Sequence, residues 1–164
     1  PYFAPGVQQK LNDQVCAYWT PHHFNGERTA QQAIQAYKLA FLCGTIKQER
    51  HILLAGLLLR IAWLYREIEN KPQEMRFLRL AYMQYEQSYS TGDYEKLNMS
   101  EMRVLYMIGE LGVRLDEIDQ STRFFSRIIE RQSIGGDAKI VEMAKERWEQ
   151  VRAIREQRRA QLQT

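Results

Sequence analysis

The sequence predicts an all-α fold, a stack of antiparallel helical hairpins closed by a long C-terminal capping helix. Three observations predict it. No stretch alternates apolar and polar residues in the two-residue rhythm of a strand, and proline occurs only at positions 1, 5, 21 and 72. Apolar residues recur instead at three- and four-residue spacing, in segments broken by "STGD" at Ser90 to Asp93 and "SIGGD" at Ser133 to Asp137, runs of turn-forming residues. The central segments also repeat, Ile61 falling on Ile108 at an offset of about 47 residues.

The chain has 164 residues, 45% of them apolar and 26% charged, as expected of one globular domain with a core of its own. Residues 1–28 read as an N-terminal segment, with a short helix around Val7 to Tyr18 and a loop from Thr20 to Arg28 holding the turn residues Pro21, Asn25 and Gly26. The helical-repeat domain then covers 29–164. Thr29 with Gln32 three positions on has the form of a capping box, followed by Ala33, Ile34, Tyr37, Ala40 and Phe41 at helical spacing. A second helix is expected over His51 to Ile68, ended by Asn70, Lys71 and Pro72, and a third from Gln73 to about Tyr89. The fourth and fifth run from about Ser100 to Leu115 and from Glu117 to Arg131; Asp137 caps the last. Ile140, Met143 or Ala144, Trp148, Val151 and Ile154 form the last helix's apolar stripe, suited to cover the final hairpin.

Superposing the repeat places Leu58, Ile61, Ala62, Leu64 and Ile68 on Leu105, Ile108, Gly109, Leu111 and Leu115, and "RFL" from Arg76 on "RFF" from Arg123. The first helix of each unit carries "IAWLY" or "IGELG", and second helices carry small-x3-aromatic-x2-small triplets, Ala33/Tyr37/Ala40 and Ser121/Phe125/Ile128, with Glu74/Leu78/Ala81 matching in part. This is the tetratricopeptide pattern, in which small residues let paired helices approach closely, so the expected architecture is a tetratricopeptide-like α-solenoid. The basic repeat is about 34 residues long. The extra length here falls between Tyr89 and Met99.

"FNGERTAQQAIQAYKLAFLC", "AGLLLRIAWLYREIENK", "NMSEMRVLYMIGELGVRL", "STRFFSRII" and "IVEMAKERWEQVR" resemble, in that order, the second half of a bacterial family known as domain of unknown function 2225. The resemblance implies a tetratricopeptide-like tail and a bacterial origin, and no reaction. It also implies a cysteine-rich, zinc-binding head ahead of the tail, whose C-x-x-C pairs have no counterpart in this sequence. Zinc is therefore assigned to no residue, and a chain starting at Pro1 is expected to be part of something longer.

Chemistry-bearing motifs are sparse. No G-x-S-x-G, P-loop or H-E-x-x-H occurs, and no catalytic residue, metal or cofactor is expected. His22 and His23 are adjacent in a loop without a third ligand nearby, which favours turn and packing roles over metal. Glu27 and Arg28 sit at a helix start, and Cys43 reads as a small buried apolar residue rather than a nucleophile. Cys16 and Cys43, both unpaired by spacing, suit a reducing cytoplasm; the run "ILLAGLLL" stops at Arg60, short of a membrane span.

Binding is the better expectation. On the concave face of a solenoid the first helices would present Leu59, Trp63, Arg66 and Glu67, then Tyr106, Glu110, Val113 and Arg114. Trp63 and Tyr106 offer rigid contact area, and Arg66 and Arg114 planar forks for carboxylates, so a peptide or protein is the expected partner. The competing reading makes Trp63 core and pairs the arginines with Glu67 and Glu110. The alternative is a nucleic-acid-associated protein in which the zinc head implied by the resemblance does the reading and Arg152, Arg155, Arg158 and Arg159 of the last helix add affinity; the net charge of +3 gives it little support. The alternative for those arginines is a solvated helix end. Oligomeric state, including a homodimer, is left open.

Overall fold

The computed structural model describes residues 26–134 and 137–163. Six α-helices occur among them: α1 Gly26–Ile46, α2 His51–Glu67, α3 Lys71–Thr91, α4 Glu101–Arg114, α5 Ile118–Glu130 and α6 Ala138–Leu162. Two 3₁₀ turns, Asp93–Leu97 and Gln132–Ile134, complete the regular structure, and the described residues include no strand. The all-α expectation holds. The expected helix at 7–18, with Cys16, His22 and His23, lies outside the described residues.

The chain divides into two compact units, the first closing at Gln84 and the second opening at Tyr85, within α3. In the first, α1 packs on α2. Tyr65 of α2 stacks on Phe77 of α3 with ring centroids 5.5 Å apart, and at the far end of the pair His51 Nδ1 is hydrogen-bonded to Gln84 Oε1 at 2.8 Å. Contacts at both ends make α2 and α3 antiparallel neighbours. In the second unit α4 packs on α5 and α5 on α6, around Leu105, Phe125, Ile128, Ala144 and Val151. Ala144, not Met143, takes the inward position on α6.

Local signals explain where the helices start. Ser100 Oγ accepts from Arg103 N at 3.2 Å and Asp137 Oδ1 from Lys139 N at 3.0 Å, satisfying donors that a helix start leaves open. Pro72 sits in the first turn of α3, where a missing N–H breaks no helical bond. Thr29 corrects the expected cap: α1 already runs from Gly26, and the buried Thr29 hydroxyl has no hydrogen-bond partner. Cys43 corrects another expectation, being exposed because it lies on the side of α1 that also carries the exposed Leu39, Leu42 and Ile46.

One turn geometry recurs. Gln48, Glu69 and Asp116 adopt left-handed φ values of 54°, 58° and 64°, closing α1, α2 and α4. Each is followed by a residue whose N–H reaches back across the helix end: Glu49 to Gly44 O at 2.9 Å, Asn70 to Tyr65 O at 2.9 Å, and Glu117 to Gly112 O at 2.8 Å. This is the Schellman closure, which satisfies the last carbonyls and reverses the chain within a few residues. Glu69 and Asp116 are 47 positions apart, so the offset read from side chains is also present in the backbone.

Burial repeats with the same offset. Leu57, Leu58, Ile61, Ala62 and Tyr65 are buried in α2, as are Val104, Leu105, Ile108, Gly109 and Gly112 in α4. Glu74, Leu78 and Ala81 are buried in α3 and Ser121, Phe125 and Ile128 in α5. The two interiors are filled differently. A Cβ on Gly109 would lie 2.7 Å from the Phe125 ring, and one on Gly112 would fall on Ser121 Oγ, so both glycines are there for close approach of α4 and α5. In the first unit Tyr65 stands where Gly112 does, and its stack with Phe77 fills the space; Lys38 of α1 hydrogen-bonds the Tyr65 hydroxyl at 2.8 Å.

Candidate functional site

The face of α2 turned away from its core carries Leu59, Trp63 and Arg66, spaced so that they line one side of the helix. Leu59 is half-buried; Arg66 and Glu67 are exposed. Trp63 is 53% exposed, an unusual position for the largest apolar side chain and one that removes it from the core. The Arg66 guanidinium lies 5.8 Å from the centroid of its ring, a cation–π distance that holds the two side chains together.

In the second unit Tyr106, Glu110 and Arg114 occupy the corresponding positions of α4, each 47 residues beyond Leu59, Trp63 and Glu67. Their surroundings differ. Arg147 of α6 grips Glu110 with two bonds, Nε to Oε1 at 2.6 Å and Nη2 to Oε2 at 3.3 Å. The same guanidinium donates to Gln150 Oε1 at 2.8 Å. Tyr106 sets its ring edge against Phe125, centroids 5.5 Å apart. Burial first, then the Glu110 charge and a hydrogen bond to it, hold the Tyr106 hydroxyl above its usual pKa; the Arg147 charge acts the other way. The hydrogen bond to Glu110 likewise raises Arg147. Arg114 is exposed, and Val113 is half-buried against the core.

Of the eight residues expected on the partner-binding face, the structure thus brings Trp63 and Arg66 together on an open face. It joins Tyr106 and Glu110 within a network completed by the chain's own last helix. Arg147 is the participant that the sequence reading missed. Its only sequence signal is a position one residue before Trp148 on the stripe of α6, which does not specify the acid it meets.

The basic end of α6 is also engaged. Arg152 pairs with Glu156 at 2.9 Å, Arg158 with Asp116 at 2.7 Å, and Arg155 lies 3.9 Å from Asp119. Among the described residues no three His, Cys, Asp or Glu side chains converge as metal ligands, and no helix is long and apolar enough to cross a membrane.

Fold and surface together define a protein that is all-helical over its described residues, with sequence-adjacent helices packed within each unit and an aromatic–arginine pair on one open helix face. The chain belongs to the family described as an uncharacterized protein conserved in bacteria (DUF2225), whose model matches residues 1–151. No curated protein and no solved structure matches it.

Proposed function

We propose that the chain is a non-catalytic protein-interaction module of tetratricopeptide-like architecture, and that the Leu59, Trp63 and Arg66 face of α2 receives a peptide or protein segment carrying a carboxylate. The single observation behind this reading is the half-exposed Trp63 with Arg66 held over it. An aromatic anchor beside an arginine fork is the composition of interface hot spots: the ring supplies apolar area at low entropic cost, and the guanidinium takes a carboxylate in two parallel bonds. The glycine contacts of α4 with α5 and the repeated turn support the tetratricopeptide-like part of the proposal. Arginines of α6 facing acids of the same chain give the nucleic-acid reading less support.

The test begins with the protein recovered from its host by affinity purification, identified, and then measured against the purified chain. Trp63→Ala is expected to weaken that binary affinity by about 30-fold, the scale of a hot-spot residue, and Arg66→Ala by about tenfold. Both variants should keep the wild-type circular dichroism. An affinity unchanged by Trp63→Ala removes this face from the proposal.

A further inference from the structure

α6 is built in two parts. Its 25 residues extend about 37 Å at 1.5 Å per residue, nearly twice the length of the 13-residue α5 on which it packs. The buried side chains Ile140, Val141, Ala144 and Val151 all lie in the first 14 residues. Beyond them Ile154 is half-buried and Leu162 is 87% exposed. The family match also ends at residue 151.

The second part meets the rest of its unit through Ile154, which packs against the core, and through two ion pairs nearer the helix end. Arg158 Nη2 lies 2.7 Å from Asp116 Oδ1 and Arg155 Nη1 3.9 Å from Asp119 Oδ1, both acids belonging to the turn and first residues that lead into α5. Between the helix end and that turn lies a recess of about 500 Å³ bounded by Asp116, Ile118, Asp119, Arg155, Arg158 and Leu162. Arg155 Nε is buried there without an acceptor. All four paired side chains keep substantial solvent exposure, from 30% for Arg155 to 70% for Asp119. Exposed pairs of this kind shift an equilibrium by no more than about fivefold each, and salt screens them.

We propose that residues 152–163 form a strap across the recess at the start of α5, latched by Arg158 to Asp116 and Arg155 to Asp119, closed at low ionic strength and released when those charges are screened. Release opens the recess wall and frees two guanidinium groups, while residues 138–151 stay anchored by their apolar face. The strap holds its helix through the latch; an unsupported run of 12 residues frays in water.

Hydrogen–deuterium exchange on the full chain reads this directly, because exchange follows local opening. Between about 10 mM and about 500 mM salt, amides of 153–162 are expected to exchange three- to tenfold faster while those of 140–151 stay unchanged. Asp116→Asn with Asp119→Asn is expected to give the fast strap already at low salt, with most of the salt dependence gone and only the share of the Arg152–Glu156 pair left. Arg158→Gln approaches one pair from the other side and should accelerate the same amides. Equal exchange of the strap in wild type and the double variant, or at the two salt concentrations, overturns the latch. So does acceleration that spreads equally to 140–151, which would make the ion pairs a support of the whole helix.

Discussion

Residue 63 of α2 and residue 110 of α4 are the same position of one two-helix unit, and they meet opposite ends. Their backbones close in the same turn, and the helix faces beneath them are buried in the same pattern. At the first position a tryptophan faces solvent with an arginine laid over it; at the second a glutamate is held at 2.6 Å by Arg147 of the chain's own last helix. The difference teaches that the repeat determines where the outward face lies, and the residue placed there determines whether the chain covers that face itself or leaves it open.

Substitutions can break this comparison or sharpen it. The largest effect is expected inside the second pair: Phe125→Ala removes a fully buried ring and should cost about 3–5 kcal/mol in a denaturant titration. Gly109→Ala imports the residue found at the corresponding position 62. In α2 that methyl is accommodated, whereas in α4 it meets the Phe125 ring at 2.7 Å, and a loss of about 1–3 kcal/mol is expected. A smaller loss, about 1 kcal/mol after allowing for partial solvent screening, is expected for Arg147→Ala, which leaves Glu110 beside a half-buried tyrosine without its counter-charge. Trp63→Ala, by contrast, should change stability by less than about 1 kcal/mol, since about half of the side chain it removes is in solvent.

The alkaline limb carries the smallest effect. The Tyr106 pKa is raised in the folded chain from the usual 10.0, so the folded state holds that proton more tightly. Its contribution is full below the unfolded value and lost as pH rises through the folded one. Wild-type stability should therefore fall above about pH 10, and Tyr106→Phe should flatten part of that fall. Tyr94, raised in the same direction by burial first, keeps the remainder. Identical alkaline limbs for wild type and Tyr106→Phe would mean that the hydroxyl is not held by Glu110 as described.

Much of the fold was legible because helical periodicity and caps act over a few residues. Ser100 and Asp137 cap as their types suggest, and the Ala62/Gly109 and Leu78/Phe125 correspondences lie on buried faces as the repeat requires. Thr29 misled because the helix already runs from Gly26, three residues before it. Cys43 misled because α1 is apolar on two sides: Ile34 and Tyr37 face inward while Leu39, Leu42 and Ile46 face out, and local sequence does not say which side meets α2. At the candidate site, periodicity left Trp63 open between core and outer face, and the structure leaves it 53% exposed. The partner of Glu110 depends on the register of α6 against α4, 37 residues away in sequence, and short-range patterns carry no information about it.

The open face of α2 against the covered face of α4 is tested most directly by one paired measurement: the affinity of the isolated partner for Trp63→Ala and for Glu110→Gln, each against wild type by titration calorimetry. A loss of about 30-fold for the first with less than about a threefold change for the second is the predicted result. Equal effects of the two substitutions, or an effect confined to Glu110→Gln, would contradict it.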